Sequence, residues 1–389
     1  MNLTRELQPN QHARVGFIEL FFDLVFVFAV TQLSHTLLHN LTPLGALQVF
    51  VLFMAVWWAW IDTAWVTNWL DPEKWPVRLM LLALMLAGLV MSTSLPEAFG
   101  DRGLIFACAY AALQAGRSVF ALLAFRNTNP VGYHNFQRIT LWVIPDAALW
   151  IAGGLADGEI RMACWLAAVV VELAGPMVRF WTPGLGSSRI ADWAIEGSHM
   201  SERAGLFIII ALGESILVTG ATFAEAAWTT PEIQAFVVAF LGSIALWWIY
   251  FDTGQERGTQ SIMHAAEPGR LARSGYSYLH IPIVAGIVVS AVGDELVLAH
   301  PAGPIEPGMV ATLIGGPILY LIGTFWCRYA VLGVLSWTFV VGTAALVALS
   351  RATEGLSPLD LSTRVMIILV LIAVGEMIFV RLRRRRLAK

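Results

Sequence analysis

Residues 18–30 read Ile18-Glu19-Leu20-Phe21-Phe22-Asp23-Leu24-Val25-Phe26-Val27-Phe28-Ala29-Val30. The run is apolar enough to start a membrane-spanning helix, yet it carries two carboxylates and no Lys or Arg. A charge at the bilayer centre costs about 2.5–3.5 kcal/mol on insertion scales. The acids therefore need a partner, water or protons. On a helix Glu19 and Asp23 are i and i+4 and share one face. The stretch thus predicts a membrane helix with one polar face, turned toward protein rather than lipid.

The rest of the chain agrees. It has 389 residues, 58% hydrophobic and 13% charged, with a mean hydropathy of +0.70. Soluble domains carry about 25% charged residues. The expected fold class is all-α, a polytopic membrane protein. The net charge of −3 says nothing about nucleic acid, and no basic domain exists apart from the tail, so no nucleic-acid partner is expected. The basic tail Arg381-Leu382-Arg383-Arg384-Arg385-Arg386 follows an apolar run directly and reads as a topology anchor. Residues 1–14 are polar, and no small-residue cleavage site follows the first apolar run, so that run is read as a span. Cys108, Cys164 and Cys327 each sit in apolar sequence without metal-site spacing and are expected to be small buried hydrophobes. His35 and His39 are i and i+4, but no H-E-x-x-H pattern accompanies them, and they read as interfacial polar residues.

A span needs roughly 20 apolar residues. Twelve candidates lie near 17–38, 45–68, 77–97, 103–125, 139–156, 161–180, 204–224, 232–252, 276–299, 308–327, 331–350 and 362–380. With the N-terminus inside, 19 of the 24 Lys and Arg fall on the inner side and four on the outer, with Arg117 alone within a span. That bias predicts that both termini are cytoplasmic.

The two halves resemble each other. Trp57-Trp58-Ala59-Trp60-Ile61-Asp62-Thr63 matches Trp247-Trp248-Ile249-Tyr250-Phe251-Asp252-Thr253, and Ala87-Gly88 with Ser92 matches Ala285-Gly286 with Ser290. Asp23 precedes Asp62 by 39 residues, and Glu214 precedes Asp252 by 38. Three matches in one order argue duplication. The expected organisation is a first six-helix repeat over 1–181, a cytoplasmic linker over 182–203, and a second repeat over 204–389 that ends in the basic tail. A unit of six helices returns to its starting side, so the repeats are expected to be parallel.

At span depth the sequence offers Glu19, Asp23, Asp62, Asp146, Glu172, Glu214, Asp252 and Glu376 against one deep cation, Arg117. Intramembrane acids in excess of bases suit protons or small cations. Asp23, with Glu214 as its repeat counterpart, is the expected ion- or proton-handling acid; Glu19 is its relay, and Asp62 and Asp252 complete the set. Arg117 is the expected counter-ion, with Asp23 or Glu214 as partner. Pure helix-packing roles for these acids remain the competing reading. No nucleophile elbow, P-loop or dinucleotide fingerprint occurs, so neither an enzyme nor a cofactor is expected.

Arg14-Val15-x-Phe17-Ile18-Glu19-Leu20-Phe21-Phe22-Asp23-Leu24-Val25-Phe26-Val27-Phe28-Ala29 is very similar to the opening signature of the bacterial low temperature requirement protein A family. Glu202-Arg203-x-Gly205-Leu206-Phe207-Ile208-Ile209-Ile210-x-Leu212-Gly213-Glu214-Ser215 and the Trp-Trp-x-x-x-Asp patterns resemble it too. The resemblance implies a multi-pass protein of the bacterial inner membrane linked to growth in the cold, and it brings no catalytic residues with it. Phe21-Phe22-Asp23 also resembles an element of the six-helix repeats of a lysosomal potassium-channel family, without that family's Ser.

Two functions stand at this point. One is a transporter or channel for protons or small cations. The other is a non-transporting stress-response scaffold or lipid-interacting protein of the membrane. The sequence leaves the oligomeric state open. Reporter fusions at residue 389 and within 300–307 should report opposite sides of the membrane; the same side for both would remove the twelve-span topology.

Overall fold

Helix starts are written into the sequence by proline and by capping side chains. Proline occupies the first or second position of six of the long helices, where its missing N–H costs nothing. Thr42 Oγ1 accepts from Gly45 N (3.0 Å) and Asn129 Oδ1 from Gly132 N (2.9 Å), each holding a first turn. The computed structural model describes residues 2–5, 14–189, 192–193, 195–252 and 267–387. Their helices are α1 (Phe17–His39), α2 (Pro43–Trp69), α3 (Trp75–Ser94), α4 (Gly103–Phe125), α5 (Pro130–Leu155), α6 (Gly158–Met177), α7 (Gly197–Glu225), α8 (Thr230–Phe251), α9 (His280–Ala299), α10 (Pro307–Leu332), α11 (Trp337–Leu349) and α12 (Pro358–Leu387). A short helical turn and a π-helix, Arg273–Tyr278, lead into α9.

Eleven of these segments are long and apolar enough to cross a membrane. The chain is a polytopic membrane protein in a lipid environment, and its all-helical build follows because backbone groups in hydrocarbon must be satisfied within their own segment. The twelfth, α11, has 13 residues, about 20 Å of helix against a core of about 30 Å.

The chain forms two units, Met1–Arg203 with Ala265–Arg270, and Ala204–His264 with Leu271–Lys389. In the first, α1 packs on α2 and α3, α3 on α4, α4 on α5, and α5 on α6, while α2 also touches α4 and α6. Helix α2 is buried at every position from Val51 to Ile61, which makes it the axis of this unit. In the second, α9 packs on α10 and α8 on α12. The α9–α10 contact is made by small residues: a Cβ on Gly286 would stand 2.5 Å from Tyr320 N, and one on Gly316 would stand 2.5 Å from Ser290 Oγ.

Two boundaries differ from the sequence reading, for one reason. Residues 197–203, expected in the 182–203 linker, form the first turns of α7. Arg328, expected between the tenth and eleventh spans, lies inside α10, which runs on to Leu332 and stops at Gly333 in the left-handed conformation (φ 62°). Their charge alone places Arg203 and Arg328 in loops. Both are buried, and a carboxylate neutralises each. Removing them from the inner-side tally leaves its excess in place. Thr253, Arg257 and most of the 253–275 connection lie outside the described residues.

In the second unit Arg328 Nη1 donates to Glu376 Oε2 (2.6 Å), Ser336 Oγ donates to the same oxygen (3.3 Å), and Thr338 Oγ1 donates to Oε1. This knot ties α10, the break after it, α11 and α12 together. Removing one partner of a buried pair costs about 3–5 kcal/mol, whereas replacing both with apolar groups is often neutral. Glu376→Gln should therefore lower the thermal midpoint in detergent sharply, and Arg328→Met with Glu376→Leu should recover most of the loss. An unchanged midpoint in Glu376→Gln would refute the knot.

Candidate functional site

Glu19 and Asp23 lie on the buried face of α1, at 0% and 2% exposure, while Phe21 and Leu24 point outward and are exposed. Their partners come from α2 and from the first turns of α7. Arg203 Nη1 donates to Asp23 Oδ2 (2.9 Å), and Nη2 lies 2.9 Å from Oδ1. Trp60 Nε1 donates to Oδ1 (2.9 Å), and the Arg203 guanidinium lies over the Trp60 ring, 5.6 Å from its centroid. Arg203 Nη1 also donates to the Glu19 carbonyl (3.1 Å). Glu19 Oε2 accepts from Gly16 N (2.9 Å) and lies 3.6 Å from Arg5 Nη2; Oε1 is 2.9 Å from His199 Nε2.

Hydrogen bonding fixes the histidine tautomer. Asn68 Oδ1 accepts from Glu196 N (3.0 Å), and Asn68 Nδ2 donates to Glu196 O (2.9 Å). The amide therefore presents its NH2 to His199 Nδ1 (3.2 Å). Nδ1 is an acceptor, so the proton sits on Nε2 and is donated to Glu19. The pairs Glu19–His199 and Asp23–Arg203 meet in the same order along both helices.

On the other side of α2 lies a second cluster. Arg117 of α4 pairs with Asp62 of α2, Nη2 to Oδ2 at 2.9 Å. Nη2 also donates to Gln114 Oε1, and Nη1 reaches the Ala59 carbonyl (3.3 Å). Gln114 Nε2 donates to Tyr110 OH (2.8 Å), and Tyr110 OH donates to Glu172 Oε1 of α6. Trp150 Nε1 of α5 approaches the same oxygen (3.3 Å). The Asp146 carboxyl of α5 comes within hydrogen-bonding reach of Glu172. Asp146 Oδ1 and Glu172 Oε2 are buried and meet no donor. Three carboxyls thus surround one guanidinium. Two ionised carboxyls about 4 Å apart at an effective dielectric near 20 repel by roughly 4 kcal/mol.

The five sequence-proposed acids are distributed unequally. Asp23 and Glu19 belong to the first cluster, and Asp62 to the second, where its side chain keeps 36% of its surface exposed. The guanidinium that meets Asp23 is that of Arg203, and Arg117 meets Asp62. Glu214 lies buried in α7 within the second unit, beside Ser215, whose hydroxyl is 3.0 Å from that of Ser243 in α8. Asp252 is the exposed C-cap of α8 and accepts from Trp248 Nε1 (3.1 Å). Its motif counterpart Asp62 lies seven residues before the end of α2.

His199, Arg203, Trp60, Tyr110, Gln114 and Trp150 belong to the clusters without being singled out as site residues by the sequence. One signal was available. His199 and Arg203 are i and i+4, the same spacing as Glu19 and Asp23, and a basic pair matched in step to an acidic pair can close as two bridges. Tyr110 and Gln114 carried no such signal, since hydroxyl and amide side chains are common within membrane helices.

The model of a bacterial family, described as low temperature requirement A protein, matches residues 14–374. An uncharacterized protein of Rhizobium meliloti (strain 1021) is 42% identical over 383 residues, spanning 98% of this chain and 93% of that protein. No solved structure matches the chain. The family model spans every carboxyl of both clusters, and the chain belongs to the bacterial low temperature requirement A family.

Proposed function

We propose that this protein moves protons or small cations across the bacterial inner membrane, with both termini cytoplasmic, and that the carboxyls of Asp62, Glu172 and Asp146 carry the step. What supports this reading is their excess over Arg117, the one guanidinium among them. A packing knot needs its charges balanced, because each uncompensated buried charge is expensive. Here the balance is left open by groups that a mobile cation could satisfy. Asp62, partly exposed, is the natural point of contact with water.

Within this reading Asp23 and Glu19 act differently. Asp23 is matched by Arg203 and Trp60, and Glu19 by His199, Arg5 and Gly16 N, so these acids latch α1 to α2 and to the start of α7. Glu214 stays the candidate carboxyl of the second unit. The complete pairing of Asp23 and of Glu376 is also what favours the second reading, a non-transporting stress-response scaffold or lipid-interacting protein whose acids serve packing alone.

Flux assays on reconstituted vesicles, across protons, sodium and potassium, separate the two. Asp146→Asn and Glu172→Gln should each remove most of the flux while leaving the thermal midpoint nearly unchanged, because an amide costs less to bury than a carboxylate. Absence of flux for every ion in the unaltered protein would overturn the transport reading. Asp23→Asn should instead destabilise the protein by about 3–5 kcal/mol, since it strands the Arg203 guanidinium; full stability in that variant would refute the latch.

A further inference from the structure

We infer that Asp146 and Glu172 share a single proton as an acid–carboxylate pair between α5 and α6, and that the species bound at this site is a proton rather than a metal cation. The inference deepens the proposed function and rests on it for any role in transport; the shared proton itself does not.

The direction of hydrogen bonding carries the argument. Arg117 has only donors, so the Gln114 atom it meets must be the amide oxygen. That turns the Gln114 NH2 toward Tyr110, where it donates to the phenol oxygen (2.8 Å). With its lone pair engaged, the phenol points its proton at Glu172 Oε1. Trp150 Nε1, which has no acceptor capacity, approaches the same oxygen. Glu172 Oε1 is therefore held as an acceptor from two sides. Its other oxygen, Oε2, and Asp146 Oδ1 are buried without a donor, and Asp146 is only 4% exposed. Two carboxyl oxygens without donors, on groups within hydrogen-bonding reach of each other, repel as long as both are bare. One proton between them turns the contact into a charge-assisted O–H···O bond. The other titratable groups facing the pair are Asp62 of α2 and Arg117 and Tyr110 of α4. Asp62 and Arg117 neutralise each other, so the pair must hold its own proton.

A metal cation fits poorly. Calcium takes six to eight oxygen ligands and magnesium a near-ideal octahedron, and potassium sites are likewise cages of oxygens. Here the side chains that reach Glu172 arrive as donors, an indole N–H and a phenol O–H. Among the described residues no group of three metal-binding side chains occurs. The chain Arg117–Gln114–Tyr110 positions Glu172 and does not conduct, because Arg does not give up its proton.

Infrared difference spectroscopy on the reconstituted full-length protein tests this without measuring transport. At neutral pH a protonated-carboxyl carbonyl band is expected, lost in Asp146→Asn with Glu172→Gln. If that double variant does not fold, Tyr110→Phe keeps both carboxyls but removes the donor to Glu172, and should shift the same band. No such band in the unaltered protein, or a band indifferent to every one of these substitutions, would overturn the shared proton. A band that behaves as expected in vesicles without flux supports the pair and overturns the transport reading. Sodium or potassium flux in protein that lacks the band overturns the pair and leaves transport standing.

Discussion

A guanidinium inside a membrane protein cannot become neutral, so it has to be met by a carboxylate or by several carbonyls. Three buried arginines here take the first course. Arg203 meets Asp23, Arg117 meets Asp62 and Arg328 meets Glu376, each at 2.6–2.9 Å and each joining different helices. Arg161 combines the two: it donates to the carbonyls of Gly153 and Ala156 at the end of α5, where the helix dipole also favours a cation, and to those of Ala98 and Gly100, and it pairs with the exposed Asp157 carboxylate at 3.0 Å. In hydrocarbon, apolar side chains gain little by leaving lipid for each other. Polar pairs of this kind therefore specify which helices meet and in what register. α2 shows it best, with Trp60 serving the Arg203 pair on one side and Asp62 serving the Arg117 pair on the other.

Once the arginines have been assigned, the remaining acids stand out. Asp62 and Asp23 look alike in the sequence and are each spoken for. Asp146 and Glu172, which the sequence reading counted without favouring, are the ones left facing each other. The carboxyls that draw notice in the sequence, because they interrupt an apolar run, are thus ones whose partners lie far along the chain. Asp23 and Arg203 are 180 residues apart.

How much was legible follows from this. Span number, helix starts and the all-helical class depend on local composition, on proline and on capping residues, all of which a sequence displays. The ends of spans do not read cleanly at Arg203 and Arg328, because a charge in a sequence looks like the end of hydrocarbon. Such a rule holds only for an unpaired charge. α7 begins at Gly197 and α10 continues to Leu332 because Asp23 and Glu376 remove the reason to stop. The partner of a buried charge is a tertiary fact, and a single sequence carries no direct record of it.

The exception is where spacing itself repeats. Glu19 and Asp23 are one helical turn apart, as are His199 and Arg203. Two helices running side by side in the same direction can close both bridges at once only if the two spacings agree. A third group then decides the charge distribution: Asn68, pinned through its amide to the Glu196 backbone, leaves His199 only one way to carry its proton. Arg117 imposes the same kind of order through Gln114 on Tyr110. In both clusters a side chain that can only donate, or whose orientation the backbone fixes, sets the direction of every hydrogen bond behind it. Around Glu19 that direction ends in a carboxylate whose two oxygens both face donors. Around Glu172 it ends in a carboxylate with one oxygen answered and the other buried without a donor, within reach of a second acid, and of the two clusters it is this one that leaves a place for a proton.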